Sequence, residues 1–164
     1  MHACVLVDAH CDGRCTRIVT RDRGLLAFRR ALATAGASAV AVGIHEDAGM
    51  HEDSGLSMAE LGAIHEFGLG NVPERSFLRS WADDRGVALP VEFASRIEQS
   101  LINGEATRIL NQIGLSAVGE IQQRMALGTP PPNEPATIAR KGSSVPLIDT
   151  GALRQSIAYK VVPK

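Results

Sequence analysis

The residues of this chain best suited to metal chemistry lie between positions 45 and 66. The dipeptide His-Glu occurs three times there, beginning at His45, His51 and His65. Imidazole and carboxylate groups bind zinc and transfer protons. A zinc-protease helix, however, requires His-Glu-x-x-His, which places both imidazoles on one helical face. The first two histidines are six positions apart around a glycine, and Leu69 stands four positions after the third. A solvated acidic loop is the preferred interpretation, and a small metal-dependent enzyme using residues 45–66 is the alternative.

The three cysteines form a second candidate metal site. Cys11 and Cys15 flank Asp12-Gly13, which is a favoured two-residue turn for a hairpin over residues 4–20. Such a hairpin directs the two thiols to opposite faces, so they do not hold one ion. The odd number of cysteines and the absence of a basic leader at the start predict free thiols in a reducing compartment.

Other catalytic and nucleotide-binding motifs are incomplete. The segment 141–144, Lys-Gly-Ser-Ser, has the residue types of a phosphate loop without its upstream glycines or a preceding strand. No Gly-x-Ser-x-Gly elbow is present. One Trp, one Tyr and four Phe are too scattered for a stacking platform on single-stranded nucleic acid. We therefore expect a protein that is not an enzyme and that has no metal or cofactor.

Length and patterning predict one α+β domain. The chain has 164 residues, 45% of them apolar, a net charge of −1 and no apolar run that spans a bilayer. We expect a small mixed sheet, built from the hairpin 4–20, a strand over 38–44 and a closing strand around 157–161. About four to five helices should pack on it. Their predicted ranges are 23–35, 58–67, 90–103, 105–126 and 150–156.

The helix over 58–67 has the clearest start signal. Ser57 and Glu60 have the spacing of a capping box, in which each residue bonds the backbone of the other. Gly68 is placed to end the helix.

A proline-rich segment divides the chain. Residues 127–148 contain five prolines, which predict an extended, polyproline-like path without regular helix. The predicted organisation is a core over 1–126, an extended arm over 127–148, and a helix and strand over 149–164 that return to the core. A long segment of this kind is typical of a binding arm or a linker.

Charge is distributed unevenly along the chain. Residues 45–66 contain six acids and no Lys or Arg, whereas residues 135–164 contain five basic residues against Asp149 alone. Two such surfaces can dock head-to-tail between copies of the chain. Two solvated surfaces that never meet are an equally good interpretation.

Three stretches resemble the tail-completion or head–tail joining (neck, tail-terminator-like) proteins of tailed double-stranded DNA bacteriophages. They are AVAVGI followed by MAELGAIHEFG (39–44 and 58–68), VPERSFLRSW (72–81), and TPPPNEPATIARKGSSVPLIDTGALRQSIAYKV (129–161). The family typically has Ile/Val-Pro-x-Arg-Pro-Phe-Leu-Arg in the second stretch, so Ser76 stands where proline is usual. The hairpin with the cysteines has no counterpart in this resemblance.

The resemblance implies a structural virion protein. Such a protein forms a ring, expected to have six copies, that completes the tail or joins it to the head and portal complex, with DNA passing through its channel. It implies portal or head-completion proteins and tail tube proteins as partners, no membrane, and a location in the virion neck or tail after assembly in the host cytoplasm. No reaction is catalysed. The alternatives are a metal-dependent phage enzyme and a DNA-binding adaptor that uses basic C-terminal residues, namely Arg140, Lys141, Lys160 and Lys164.

Two sets of residues follow as interface hypotheses. The mixed charges near the second stretch and the arm are expected to contact neighbouring subunits or partners. These residues are Glu66, Glu74, Arg75, Arg79, Pro130, Pro131, Pro132, Arg140 and Lys141. The acidic loop, residues 45–55, is expected either to line the channel, where like charge repels DNA, or to face outward. Its acids are Glu46, Asp47, Glu52 and Asp53.

Overall fold

The computed structural model describes residues 25–164, in which helices pack on a two-stranded antiparallel sheet. The fold is mixed α+β and mostly helical. In chain order the elements are α1 (Leu25–Gly36), β1 (Ser38–Ile44), a short 3-10 turn (Glu46–Ala48), α2 (Met58–Phe67), α3 (Leu78–Arg85), α4 (Ala88–Glu92), α5 (Ala94–Ile102), α6 (Ala106–Leu127), α7 (Pro135–Lys141), α8 (Ala152–Gln155) and β2 (Ile157–Pro163).

The sheet pairs the central strand with the C-terminal strand. Ile44 lies opposite Ile157 and Val42 opposite Tyr159 in antiparallel register. These positions share one face because side chains alternate along a strand, and Val42, Ile44 and Ile157 pack into the hydrophobic core. Both predicted strands are confirmed. The predicted hairpin 4–20, with its cysteines, lies outside the described residues.

The core forms where α6 crosses the sheet. Phe77, Ile121 and Met125 are fully buried and cluster with residues of α8 and β2. Gly114 permits the close approach of α6 to the sheet, since a Cβ at that position would overlap the Tyr159 ring. The helix predicted over 105–126 is confirmed in α6.

The capping box at the start of α2 is confirmed. The Ser57 hydroxyl accepts the Glu60 backbone N–H at 3.1 Å, and a Glu60 carboxylate oxygen accepts the Ser57 backbone N–H at 2.9 Å. The helix ends at Gly68, which has a φ of 75°. A Cβ on Gly68 would lie only 3.0 Å from the Glu74 backbone nitrogen, so glycine is required at this turn.

Two helical regions differ from the prediction. The helix predicted over 90–103 is two helices, α4 and α5, which meet at Phe93. The helix α3 is not predicted from the sequence because its N-cap residue, Phe77, makes no side-chain cap hydrogen bond. The acceptor for its first N–H groups comes from α2, which is distant in the chain.

The proline-rich segment is not extended throughout. Residues 135–141 form α7, so the prediction of a segment without helix is wrong there. Pro135 occupies the first turn, where its missing N–H costs no hydrogen bond, and Gly142 ends the helix with a φ of 69°. Thr129, Pro146 and Leu147 are buried against the rest of the chain.

None of the helices within residues 25–164 combines the length and apolar character needed to cross a membrane.

Candidate functional site

A groove of about 500 Å³ lies beside α2. We call it the Arg75 groove, after the side chain that connects its two walls. One wall is formed by α2 and the turn 71–75, and the other by the prolines at 131–132 and by α7. The turn 149–153 also lines it. The groove therefore lies between residues of the ranges 58–68, 72–81 and 129–161.

Glu66 joins α2 to the start of α3 next to this groove. Its carboxylate accepts the backbone N–H groups of Phe77 at 2.9 Å, Leu78 at 3.0 Å and Arg79 at 2.9 Å. The Ser76 hydroxyl donates a further hydrogen bond at 2.8 Å. A negative charge at this position also favours the positive end of the α3 dipole. Glu66 is thus an internal cap for a helix twelve positions further along the chain.

The pKa of Glu66 reflects this cage of donors. Burial raises the pKa, but the N–H groups of Leu78 and Arg79, the Ser76 hydroxyl and the Phe77 N–H together lower it below the ordinary glutamate value. Glu66 is only 4% exposed. The sequence places Glu66 at a subunit interface, whereas the structure encloses it within its own chain.

Arg75 holds the proline-rich segment against the core. Its Nε donates to the carbonyl oxygen of Pro131 at 2.9 Å, and its Nη2 donates to the carbonyl of Pro132 at 3.2 Å and to Oδ1 of Asn133 at 3.3 Å. Its own backbone N–H donates to the His65 carbonyl at 2.7 Å. Arg75 therefore connects α2 to the prolines that were expected at an interface.

The charge of Arg75 has no counter-ion in the described part of the chain. The side chain is buried, with 7% of the residue exposed, and all its acceptors are neutral. Within residues 25–164 no carboxylate forms an ion pair with it, and Nη1 makes no hydrogen bond but is not among the fully buried polar atoms, so solvent still reaches it. Burial lowers the pKa of Arg75, as it does for any cation removed from water.

His65 lines the same groove with an unused nitrogen. Its Nδ1 is buried and has no partner among the described residues. Burial lowers the pKa of His65, and the charges of Arg75 and Lys141 lower it further. Lys141 and Arg140, from the last turn of α7, also line the groove. Neither forms an ion pair within the described range.

Glu74 and Arg79 lie on the outer surface. They form an ion pair with each other, and about half of each side chain is exposed. The Arg79 guanidinium lies 5.7 Å from the centre of the Phe67 ring. Phe67 and Leu69 are each 65% exposed, so this end of α2 presents mixed charge and apolar area together. Pro130, Pro131 and Pro132 are also exposed.

The acidic loop meets the basic C-terminal strand at one point. Both carboxylate oxygens of Asp47 accept from the Lys160 ammonium at 2.8 Å, and this hydrogen bond lowers the pKa of Asp47. The other acids of the loop, Glu46, Glu52 and Asp53, are exposed and form no ion pair within residues 25–164.

Two observations concern the residues that were named for the alternative functions. In the part of the chain that is described, no group of three or more His, Cys, Asp or Glu side chains is arranged to hold a metal ion. The basic residues proposed for DNA binding are divided, because Lys160 is paired on β2 whereas Arg140 and Lys141 line the groove.

Comparison of the chain with protein-family models, with curated proteins and with solved structures gives no match.

The internal role of Glu66 has a signal in the sequence. Met58, Gly62 and Glu66 are spaced by four, and all three are buried on one face of α2. A carboxylate on a buried helical face requires donors from elsewhere in the fold. No comparable signal identifies His65, Asn133 or Thr150 as groove residues, because their proximity arises only when the proline-rich segment folds back.

Proposed function

We propose that this protein is a structural ring subunit of the neck of a tailed double-stranded DNA bacteriophage. Six copies would form a ring that completes the tail or joins it to the head, and DNA would pass through the channel. Its partners are further copies of itself, the portal or head-completion proteins, and the tail tube proteins.

The observation that supports this proposal is the way the three resembling stretches pack together. Glu66 of the first stretch caps the helix that begins in the second. Arg75 of the second stretch binds the backbone of Pro131 and Pro132 in the third. Leu147 and Leu153 of the third stretch join Phe77 in the core. The resembling residues thus form one structural unit and are not scattered over the surface.

Exposed apolar side chains also suit a protein that works by association. Phe67, Leu69, Val87, Val91 and Leu127 are each at least 65% exposed. Monomeric proteins commonly expose single apolar residues, and only a contiguous patch indicates a partner surface, so the adjacent pair Phe67 and Leu69 is the part of this set that suits such a surface.

The test is to locate the protein in the particle of the phage or prophage that carries its gene. Immunogold labelling of purified virions should place it at the head–tail joint, and deletion of the gene should leave unjoined heads and tails in electron micrographs of lysates. Joining should return when the protein is supplied in trans. Complete particles after deletion, or virions that lack the protein, would contradict the proposal; a protein required for joining but absent from the virion would favour an enzyme of assembly.

A further inference from the structure

The geometry points to the Arg75 groove as a socket for one carboxylate from the acidic loop of a second copy of this chain. This inference rests on the proposed function in one respect only, namely that copies of the chain associate. It identifies which surfaces meet, which the resemblance does not.

The charge of Arg75 inside the groove is not balanced. A buried guanidinium without a counter-ion is costly, because its neutral acceptors replace only part of its hydration. Arg75 is in this state except at Nη1, which makes no hydrogen bond within residues 25–164 and is reached by solvent, so an incoming group can reach it too. A carboxylate at Nη1 would compensate the charge with a charge-assisted hydrogen bond.

The residues that line the groove carry a net positive charge. Three cations line the groove, Arg75, Arg140 and Lys141, against two carboxylates, Glu134 and Asp149. None of these five forms an ion pair within residues 25–164. The difference of one positive charge matches a single incoming carboxylate. It does not match a polyanion such as DNA, which the two acids would repel.

The acidic loop of a second copy is the source of that carboxylate. Glu46, Glu52 and Asp53 are exposed and unpaired in the described part of the chain, whereas Asp47 is already held by Lys160. His51, which belongs to the same loop, lines the Arg75 groove of the same copy. The acids of that loop nevertheless form no ion pair with Arg75, Arg140 or Lys141 within the described residues. The acidic loop and the groove are thus complementary and unsatisfied within one copy.

The contact between the loop and the groove limits how copies of the chain can be arranged. A contact in which the acidic loop of one copy enters the groove of the next joins two different surfaces. Repeated by rotation, such a contact closes into a ring or continues as an open filament, and made reciprocally it gives a twofold dimer, since the loop borders the groove through His51. The inferred contact is therefore one that a ring subunit can use.

The experiment is a charge exchange measured by sedimentation velocity at low salt. Variant one carries R140E and K141E, and variant two carries E52K and D53K. Each alone should self-associate at least roughly tenfold more weakly than the wild type, because its contact now pairs like charges. An equimolar mixture should regain association. The acidic groove of variant one accepts the basic loop of variant two, and the unchanged basic groove of variant two accepts the unchanged acidic loop of variant one.

Controls and contrary outcomes are defined by the same assay. K164E and E98K change exposed charges outside the groove lining and the loop, and should leave association unchanged. Circular dichroism verifies that all variants fold. The inference is overturned if the wild type does not self-associate, if both exchange variants associate normally, or if their mixture does not recover. The virion-labelling experiment remains independent of each of these results, so the two proposals fail separately.

Discussion

Two buried charges, nine positions apart in the chain, are stabilised in opposite ways. Glu66 is surrounded by four donors from its own chain, three of them backbone N–H groups at the start of α3. Arg75 donates to three neutral oxygens and has no carboxylate partner within residues 25–164. Glu66 therefore has all its hydrogen-bond partners within the chain, whereas Arg75 can still bind an anionic group.

The difference also concerns what each charge holds in place. Glu66 fixes the start of a helix next to the fully buried Phe77, so its loss exposes buried donors. Arg75 binds carbonyl groups of prolines that are themselves exposed, so water can replace it. Four predictions test this contrast, beginning with the largest expected effect.

Replacing Glu66 should destabilise the protein most. In Glu66→Ala the buried N–H group of Phe77 and three part-buried donors lose their acceptor, and we expect a loss of about 3 kcal/mol in the free energy of unfolding. Urea denaturation followed by circular dichroism measures this loss. Glu98→Ala, at an exposed position of α5, is the matched control and should leave the free energy of unfolding unchanged. Equal stability of the two variants would refute the capping role.

Replacing Arg75 should cost less and act locally. Arg75→Met removes three hydrogen bonds to the proline-rich segment but also removes an uncompensated buried charge, so the expected loss is about 1 kcal/mol. Hydrogen exchange should increase in residues 131–141, while the N–H groups at 77–79 remain protected. Faster exchange at both places would show that the two charges act as one unit.

Acid should weaken the Glu66 junction. The pKa of Glu66 is lower in the folded chain than in the unfolded chain, so the unfolded state binds the extra proton as the pH falls below about 4.5. Stability should therefore fall as the pH decreases from this value through the folded pKa. Glu66→Gln should decrease the slope of the unfolding free energy against pH in this range. The slope that remains comes from the other carboxylates. An unchanged slope relative to a Glu98→Gln control would contradict the assignment.

The smallest effect is expected from His65. Its folded pKa is lowered by burial and by Arg75 and Lys141, so the unfolded chain binds a proton first as the pH falls below about 6.5. Stability should fall slightly between this value and the folded pKa. His65→Asn should abolish this decline, and Lys141→Met should reduce it, whereas Lys164→Met should not. A decline that is identical in all of these variants would place its origin outside the Arg75 groove.

Local patterns account for much of the fold. The capping box at Ser57 and Glu60, the apolar run 38–44 and the alternating strand near 157–161 each contain their own signal, and each forms as predicted. Pro135 was the source of the error in the proline-rich segment, since a proline that excludes a helix interior also starts a helix well.

The amino-acid sequence by itself determined the elements whose hydrogen bonds and apolar faces are satisfied within a few residues. It also determined the uneven distribution of charge, with acids in the loop 45–55 and a basic pair at the end of α7, whereas the pairing of Asp47 with Lys160 is seen only in the structure. Only the tertiary structure decided that Glu66 would cap α3 and that Arg75 would bind the prolines, because these contacts join residues 11 and 56 positions apart in the chain. Such pairings depend on how the chain folds back: the spacing of Met58, Gly62 and Glu66 places Glu66 on the buried face of α2, but it does not indicate which helix Glu66 caps.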